Sequence, residues 1–311
     1  MNTCFYKNHP PFLPNNRLIK MNQQKFKIKC EDGVELSAIL LAPNGQPKAV
    51  VQINSATATP KEYYLPFANY LVENGFVACV YDYRGVCEST PEGGLRGCKY
   101  DYVMIGQLDM PAVLDFLEIQ FSDLPKLIMG HSVGGQKVGM MPNHHKIKGM
   151  VTFATSVGYW GFMPLSYRIQ THFFFQIFTP ISNFLFGYVA AKRIGLMEDL
   201  PKQVVLDWRN WCSVPEYFFN SKYAPDSANR GFFQDLTFPI QVYWTTDDPI
   251  SNARSVPMFW KHVQSTEGIK IDCITPQEIG VKEIGHFGFF RRKFKETLWA
   301  RALKDLEGFI K

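Results

Sequence analysis

The chain has no C-x-x-C pair, no unbroken apolar run of about 20 residues, no internal repeat and no low-complexity tract. Each absence removes a class of protein. The seven cysteines (Cys4, Cys30, Cys79, Cys87, Cys98, Cys212 and Cys273) lie far apart. An odd count without metal-ligand spacing points to reduced thiols in a cytoplasmic protein, not to a disulfide framework or a zinc site. Cys79 sits in an apolar run and reads as a small core residue. His144 and His145 are adjacent, so neither a helix nor a strand turns both toward one ion, and no metal is expected. The phosphate-loop spacing G-x-x-x-x-G-K-[ST] is also missing. The net charge is +5, but the basic residues are scattered, and Arg291-Arg292-Lys293 is too short for a nucleic-acid stripe. The first 20 residues are rich in Pro and Asn and carry no apolar core of a secretory signal. Residues 1–24 are read as a flexible N-terminal arm.

What is present suits one large α/β domain: 311 residues, 46% of them hydrophobic and 20% charged. Residues 25–30 and 34–41 flank a Glu31-Asp32-Gly33 turn and read as a hairpin. Short apolar strands are expected at Ala49–Ile53, Phe76–Tyr81, Lys126–Met129, Gly149–Phe153, Pro239–Trp244 and Ile269–Ile274. Helical periodicity appears at Tyr63–Asn74, Tyr100–Gln120 and Phe294–Ile310, with Pro111 marking a kink or a fresh start in the second. Strands alternating with helices imply a mostly parallel sheet covered on both faces. The alternation breaks at residues 157–236, which are rich in aromatics and read as a helical cap inserted between core segments 25–156 and 237–311. Ile169–Ala191 lacks any charged residue, but His172, Gln176, Pro180, Ser182 and Asn183 interrupt it. A buried or substrate-facing cap is therefore expected there, and no membrane span.

The chemical signal is Gly130-His131-Ser132-Val133-Gly134-Gly135, directly after a strand and before a helical segment. A nucleophile on a sharp strand-to-helix turn needs small residues two before and two after it, so that strand and helix can approach. The helix start then aims backbone N–H groups at the site, with Val133 N–H as a natural oxyanion donor. A serine hydroxyl needs a base, and the base needs a partner to fix its tautomer. His286, in a Gly-flanked loop before the last helix, is the candidate base. Asp247 and Asp248 follow a strand, where open α/β sheets place their sites. One could serve the histidine while the other caps a helix.

Taken together, Asn54-Ser55-Ala56-Thr57, Asp82-Tyr83-Arg84-Gly85 with Ser89, the elbow at Ser132, Asp247-Asp248-Pro249-Ile250 and Gly285-His286-Phe287 resemble the α/β-hydrolase superfamily over about residues 25–311. Within it the chain looks most like the bacterial α/β-hydrolases near the serine aminopeptidase and monoglyceride-lipase-like group. The resemblance implies a sheet of the eight-stranded type. It also favours Asp248 as the acid, three residues after Thr245, where the family usually has Gly, with Asp247 as runner-up. Related lipases carry His-Gly where this chain has Ser55-Ala56, so the second oxyanion donor falls to the N–H of Ala56 or Thr57. Arg84 reads as bracing a loop.

The expected reaction is acyl transfer to water on an ester-like bond, with a small-molecule substrate and no cofactor. Phe162, Phe173, Phe174, Phe175, Phe178, Phe184 and Phe186 either face an apolar substrate or pack the cap onto the core. An acyltransferase or a peptidase would use the same triad. A non-catalytic binding protein would not need Ser, Asp and His in this order.

Overall fold

The computed structural model describes residues 22–223 and 231–311. Residues 1–21 of the expected arm lie outside the described residues, and its last three are strand: β1 (Asn22–Lys29) begins at Asn22. It pairs antiparallel with β2 (Glu35–Ala42) across a turn in which Gly33 takes φ +88, a left-handed value suited to glycine. β3 (Val50–Asn54), β4 (Val77–Tyr81) and β5 (Lys126–His131) are buried at every position. Burial at every position is what a sheet covered on both faces requires.

The remaining strands are β6 (Ile147–Phe153), β7 (Ile240–Thr245) and β8 (Ile269–Ile274). The eight form one sheet in the order β1-β2-β4-β3-β5-β6-β7-β8. Only the β1/β2 and β2/β4 pairs are antiparallel; β3 to β8 run parallel. The chain leaves β3 for β4 on one side and returns to β5 on the other. This places a topological switch at the carboxyl ends of β3 and β5, where Asn54 pairs with Gly130.

Helices cover both faces. α1 (Leu65–Glu73) and the C-terminal helix pack Phe67, Leu71, Leu298, Ala302 and Leu306 on one. On the other, α2 (Met110–Gln120) contributes Val113, Leu114 and Leu117. α2 makes the fresh start expected near Asp109: a π-helical turn at Ile105–Asp109 leads into it, and Pro111 falls in its first turn. The four-residue α3 (Val133–Gln136) follows β5 directly.

Between β6 and β7 the chain forms α4 (Leu165–Phe173), a π-helical turn (Phe174–Phe178), α5 (Thr179–Phe186) and α6 (Lys202–Cys212). Among the described residues this segment adds no strand to the sheet. Among them, too, no helix is long and apolar enough to cross a membrane. The last helices are α7 (Ser255–Trp260), α8 (Gly285–Gly288) and α9 (Ala300–Gly308).

Two buried cations hold the loops behind the switch. Arg84 gives its backbone N–H and Nε to Asp109 at 2.9 and 2.6 Å, and Nη1 to Asp32 at 2.7 Å. It thereby joins the hairpin turn, the end of β4 and the start of α2. Lys61 Nζ lies 2.6 Å from Asp82 and 2.8 Å from Glu88, and its backbone N–H also donates to Asp82. Both side chains of the Lys61–Asp82 pair are fully buried. Removing one partner of such a pair strands the other charge. Lys61→Met is therefore expected to cost about 3 kcal/mol in urea unfolding, and a loss below about 1 kcal/mol would show that the pair behaves as a surface contact.

Candidate active site

β5 ends in the elbow. Ser132 has φ 53 and ψ −115, a conformation that L-residues avoid and that costs about 1–3 kcal/mol. The turn is held from three sides: Ser132 N–H donates to Phe153 O at 2.9 Å, and Ser132 O accepts the N–H groups of Gly135 and Gln136 and the Thr155 hydroxyl. The glycines are steric necessities. A Cβ on Gly130 would lie 2.7 Å from Gly135 Cα, and one on Gly134 would overlap the Asn54 carbonyl. Asn54 adds a tie across the switch, with Nδ2 donating to Gly134 O at 3.2 Å and Oδ1 accepting from the Tyr81 hydroxyl at 2.6 Å.

The structure brings Ser132, His286 and Asp248 together. His286 Nε2 is 3.0 Å from Ser132 Oγ, and His286 Nδ1 is 2.7 Å from Asp248 Oδ2. Asp248 Oδ1 accepts the N–H groups of Ile250 and Ser251 at 2.8 and 3.0 Å, which fixes the carboxylate from the side away from the ring contact. Asp247 does not reach His286. Its Oδ2 accepts the N–H groups of Ile284 and Gly285 at 2.7 and 3.0 Å. The runner-up acid thus anchors the loop that carries the histidine, and the alternative of Asp247 as the histidine's partner is corrected.

A second layer escaped the sequence reading. His131, the residue before the nucleophile, is fully buried. Its Nδ1 lies 2.8 Å from the Tyr64 hydroxyl and its Nε2 lies 2.8 Å from the His286 carbonyl oxygen. Burial, with the neighbouring His286 ring adding to it, holds His131 well below the usual histidine pKa, so it is neutral. One arrangement of protons satisfies every contact: Tyr64 O–H donates to Nδ1, and Nε2–H donates to the carbonyl. The Tyr64 oxygen then accepts Ala56 N–H at 2.8 Å.

That last bond corrects one of the two expected second donors. Ala56 N–H is committed to Tyr64 and is turned away from an oxyanion role. Val133 N–H and Thr57 N–H donate to no group among the described residues, and both residues line the cavity at Ser132. The Thr57 hydroxyl is hydrogen-bonded to the Tyr102 hydroxyl, which fixes the loop from the far side.

The cavity has a volume of about 680 Å³. Ser132 and His286 lie in its floor, and Met163, Phe174, Phe175, Met197 and Trp208 supply apolar wall. Of the seven phenylalanines expected to face substrate or pack on the core, only Phe174 and Phe175 line it, whereas Phe173 and Phe184 face solvent. Among the described residues Glu198 is the one acidic residue in the wall, and Lys192 Nζ pairs with it at 2.9 Å.

A family model for serine aminopeptidase, S33, matches residues 45–185, a stretch that holds Ser132 but neither Asp248 nor His286. No curated protein matches the sequence. Solved structures match over nearly the whole chain. A soluble variant of monoglyceride lipase from Saccharomyces cerevisiae is 15% identical, covers 96% of this chain and 98% of its own, and has a TM-score of 0.63. A thermostable carboxyl esterase from Bacillus coagulans is 14% identical, with 94% and 100% covered and a TM-score of 0.62. An esterase from Pyrococcus furiosus is 18% identical, with 97% of each chain covered and a TM-score of 0.59. The fold is that of an α/β-hydrolase.

The anchoring by Asp247 makes a structural prediction. Asp247→Ala should cost about 1.5–3 kcal/mol, the worth of hydrogen bonds to a charged acceptor. Amide exchange should quicken first at Ile284 and Gly285. Unchanged exchange at those two amides would show that the loop holds without the carboxylate.

Proposed function

We propose that the protein is a serine hydrolase that cleaves a carboxylic ester or thioester of a small, mainly apolar substrate. The observation that carries this reading is the Ser132–His286–Asp248 relay opening onto the apolar cavity. His286 Nε2 takes the Ser132 proton as Oγ attacks the carbonyl carbon, and Asp248 holds the imidazolium that forms. The negative charge on the former carbonyl oxygen falls to the N–H groups of Val133 and Thr57. When the tetrahedral intermediate collapses, His286 returns its proton to the departing alcohol or thiol and the acyl group stays on Oγ. Water, deprotonated by His286, then attacks the acyl-enzyme and releases the acid. The helical segment between β6 and β7 serves as the cap, with Phe174 and Phe175 against the acyl chain.

A peptidase reading has the matched family model in its favour. The wall of the cavity argues the other way: a peptide amino group needs a carboxylate, and Glu198 already carries Lys192. The ester reading leaves no such group unmatched.

The reading is tested by fluorophosphonate labelling and by p-nitrophenyl esters of increasing acyl length. Wild-type protein should label, and kcat/KM should climb from acetyl to hexanoyl by up to about fourfold per buried methylene. Ser132→Ala should abolish labelling and lower kcat by about 10⁶. Asp248→Asn should lower it by about 10⁴. Folded wild-type protein that neither labels nor turns over any ester would defeat the proposal. Transfer to an added alcohol in preference to water would make it an acyltransferase.

A further inference from the structure

α4, the π-helical turn and α5 form one rod of about six turns, because the residues at both junctions keep right-handed helical dihedrals. Its inner side carries Phe174 and Phe175 into the cavity. Its outer side carries Leu165, Ile169, Phe173, Ile177, Ile181 and Phe184, spaced mostly by four, so that they form a stripe. All six are exposed, from 50% at Ile177 to 88% at Phe184. Single exposed apolar residues are ordinary; a row of six along one helix marks a surface that meets something apolar.

The charges around the stripe say what. From Leu124 to Met197 the sequence contains no Asp or Glu. At the far end of the rod two guanidiniums flank Phe186. Arg193 lies over its ring at 4.7 Å, and Arg96 donates to the carbonyls of Phe186 and Leu185 at 3.0 and 3.3 Å. Neither has a carboxylate partner among the described residues, unlike Lys192, which is paired with Glu198. A second copy of the chain would bring the same cations to the contact. A layer of acyl chains beneath anionic headgroups complements both features at once.

We propose that the outer face of this rod docks on an anionic lipid surface, with the apolar stripe at the headgroup–acyl boundary and Arg96 and Arg193 against phosphates. The rod lies in the interface and does not cross it. Docking would set the opposite side of the same helix, and the cavity behind it, next to the acyl layer. The inference does not depend on the hydrolase reading, since binding is read without turnover.

The experiment is flotation of the full chain with vesicles of phosphatidylcholine, with and without phosphatidylglycerol. Wild-type protein should float with the anionic vesicles and less with the neutral ones, and salt should weaken the binding. The double variant Ile181→Gln/Phe184→Gln, altered only at exposed positions, should lose at least about tenfold in partitioning. Arg193→Gln should lose about fivefold on anionic vesicles and little on neutral ones. Fluorophosphonate labelling or, if that fails for wild type too, thermal unfolding confirms that the variants are folded. Absence of flotation with either vesicle, or flotation unchanged in the double variant, would overturn the proposal. So would lipid-free self-association abolished by the double variant, which would make the stripe an interface between copies.

Discussion

Ser132 sits at φ 53 because two chain segments have to cross within van der Waals contact, and much of the rest of the site is arranged around that crossing. The strand must stop, reverse its side-chain direction and start a helix in one residue. The strain of about 1–3 kcal/mol persists only if the surroundings leave no other conformation. Here they leave none: Phe153 O takes the serine's N–H, the next helical turn and Thr155 take its carbonyl, and Asn54 clamps Gly134. The consequence is chemical. The backbone thus holds the hydroxyl out over the switch point, toward its base.

The base is less well held by its own element, since α8 is only four residues long. Three separate contacts replace the missing helix. Asp248 fixes the imidazole through Nδ1, Asp247 fixes the peptide groups just before it, and His131 fixes its carbonyl. The last of these links back through Tyr64 to Ala56. Loop, nucleophile and base are therefore positioned by one continuous set of hydrogen bonds, and a neutral, buried imidazole at its centre can both donate and accept. A charged His131 could only donate, and the Tyr64 hydroxyl would lose its acceptor.

Much of this was legible in the sequence where one residue type answers one steric or chemical demand. Glycines at 130 and 134, a Gly-flanked His286 and paired aspartates after a strand are such cases, and so are the strands, whose apolar runs sit within a few residues of their observed bounds. What escaped notice depends on partners distant in sequence. Tyr64 lies in a stretch read only as helical, and nothing local shows that its hydroxyl meets His131. Lys61 reads as a surface lysine until Asp82 and Glu88 are seen around it. Whether Asp247 or Asp248 faces the histidine turns on a single peptide's orientation, which alternation alone leaves open. Ala56 and Thr57 were separable only once Tyr64 was in place.

The uncharged stretch from Ile169 to Ala191 shows the same limit in another form. Composition permits three environments for it: a membrane core, the protein interior or a substrate. A helix with apolar residues all round is compatible with any of them. The structure divides the question by face. Phe174 and Phe175 belong to the cavity, while Ile177, Ile181 and Phe184 belong to neither core nor cavity. Folding alone gives little reason to expose large apolar groups at those positions, because polar residues there would improve solubility. The inner face is explained by the pocket it closes; the outer face calls for a second apolar phase, and the cations at its end indicate the charge of that phase's surface.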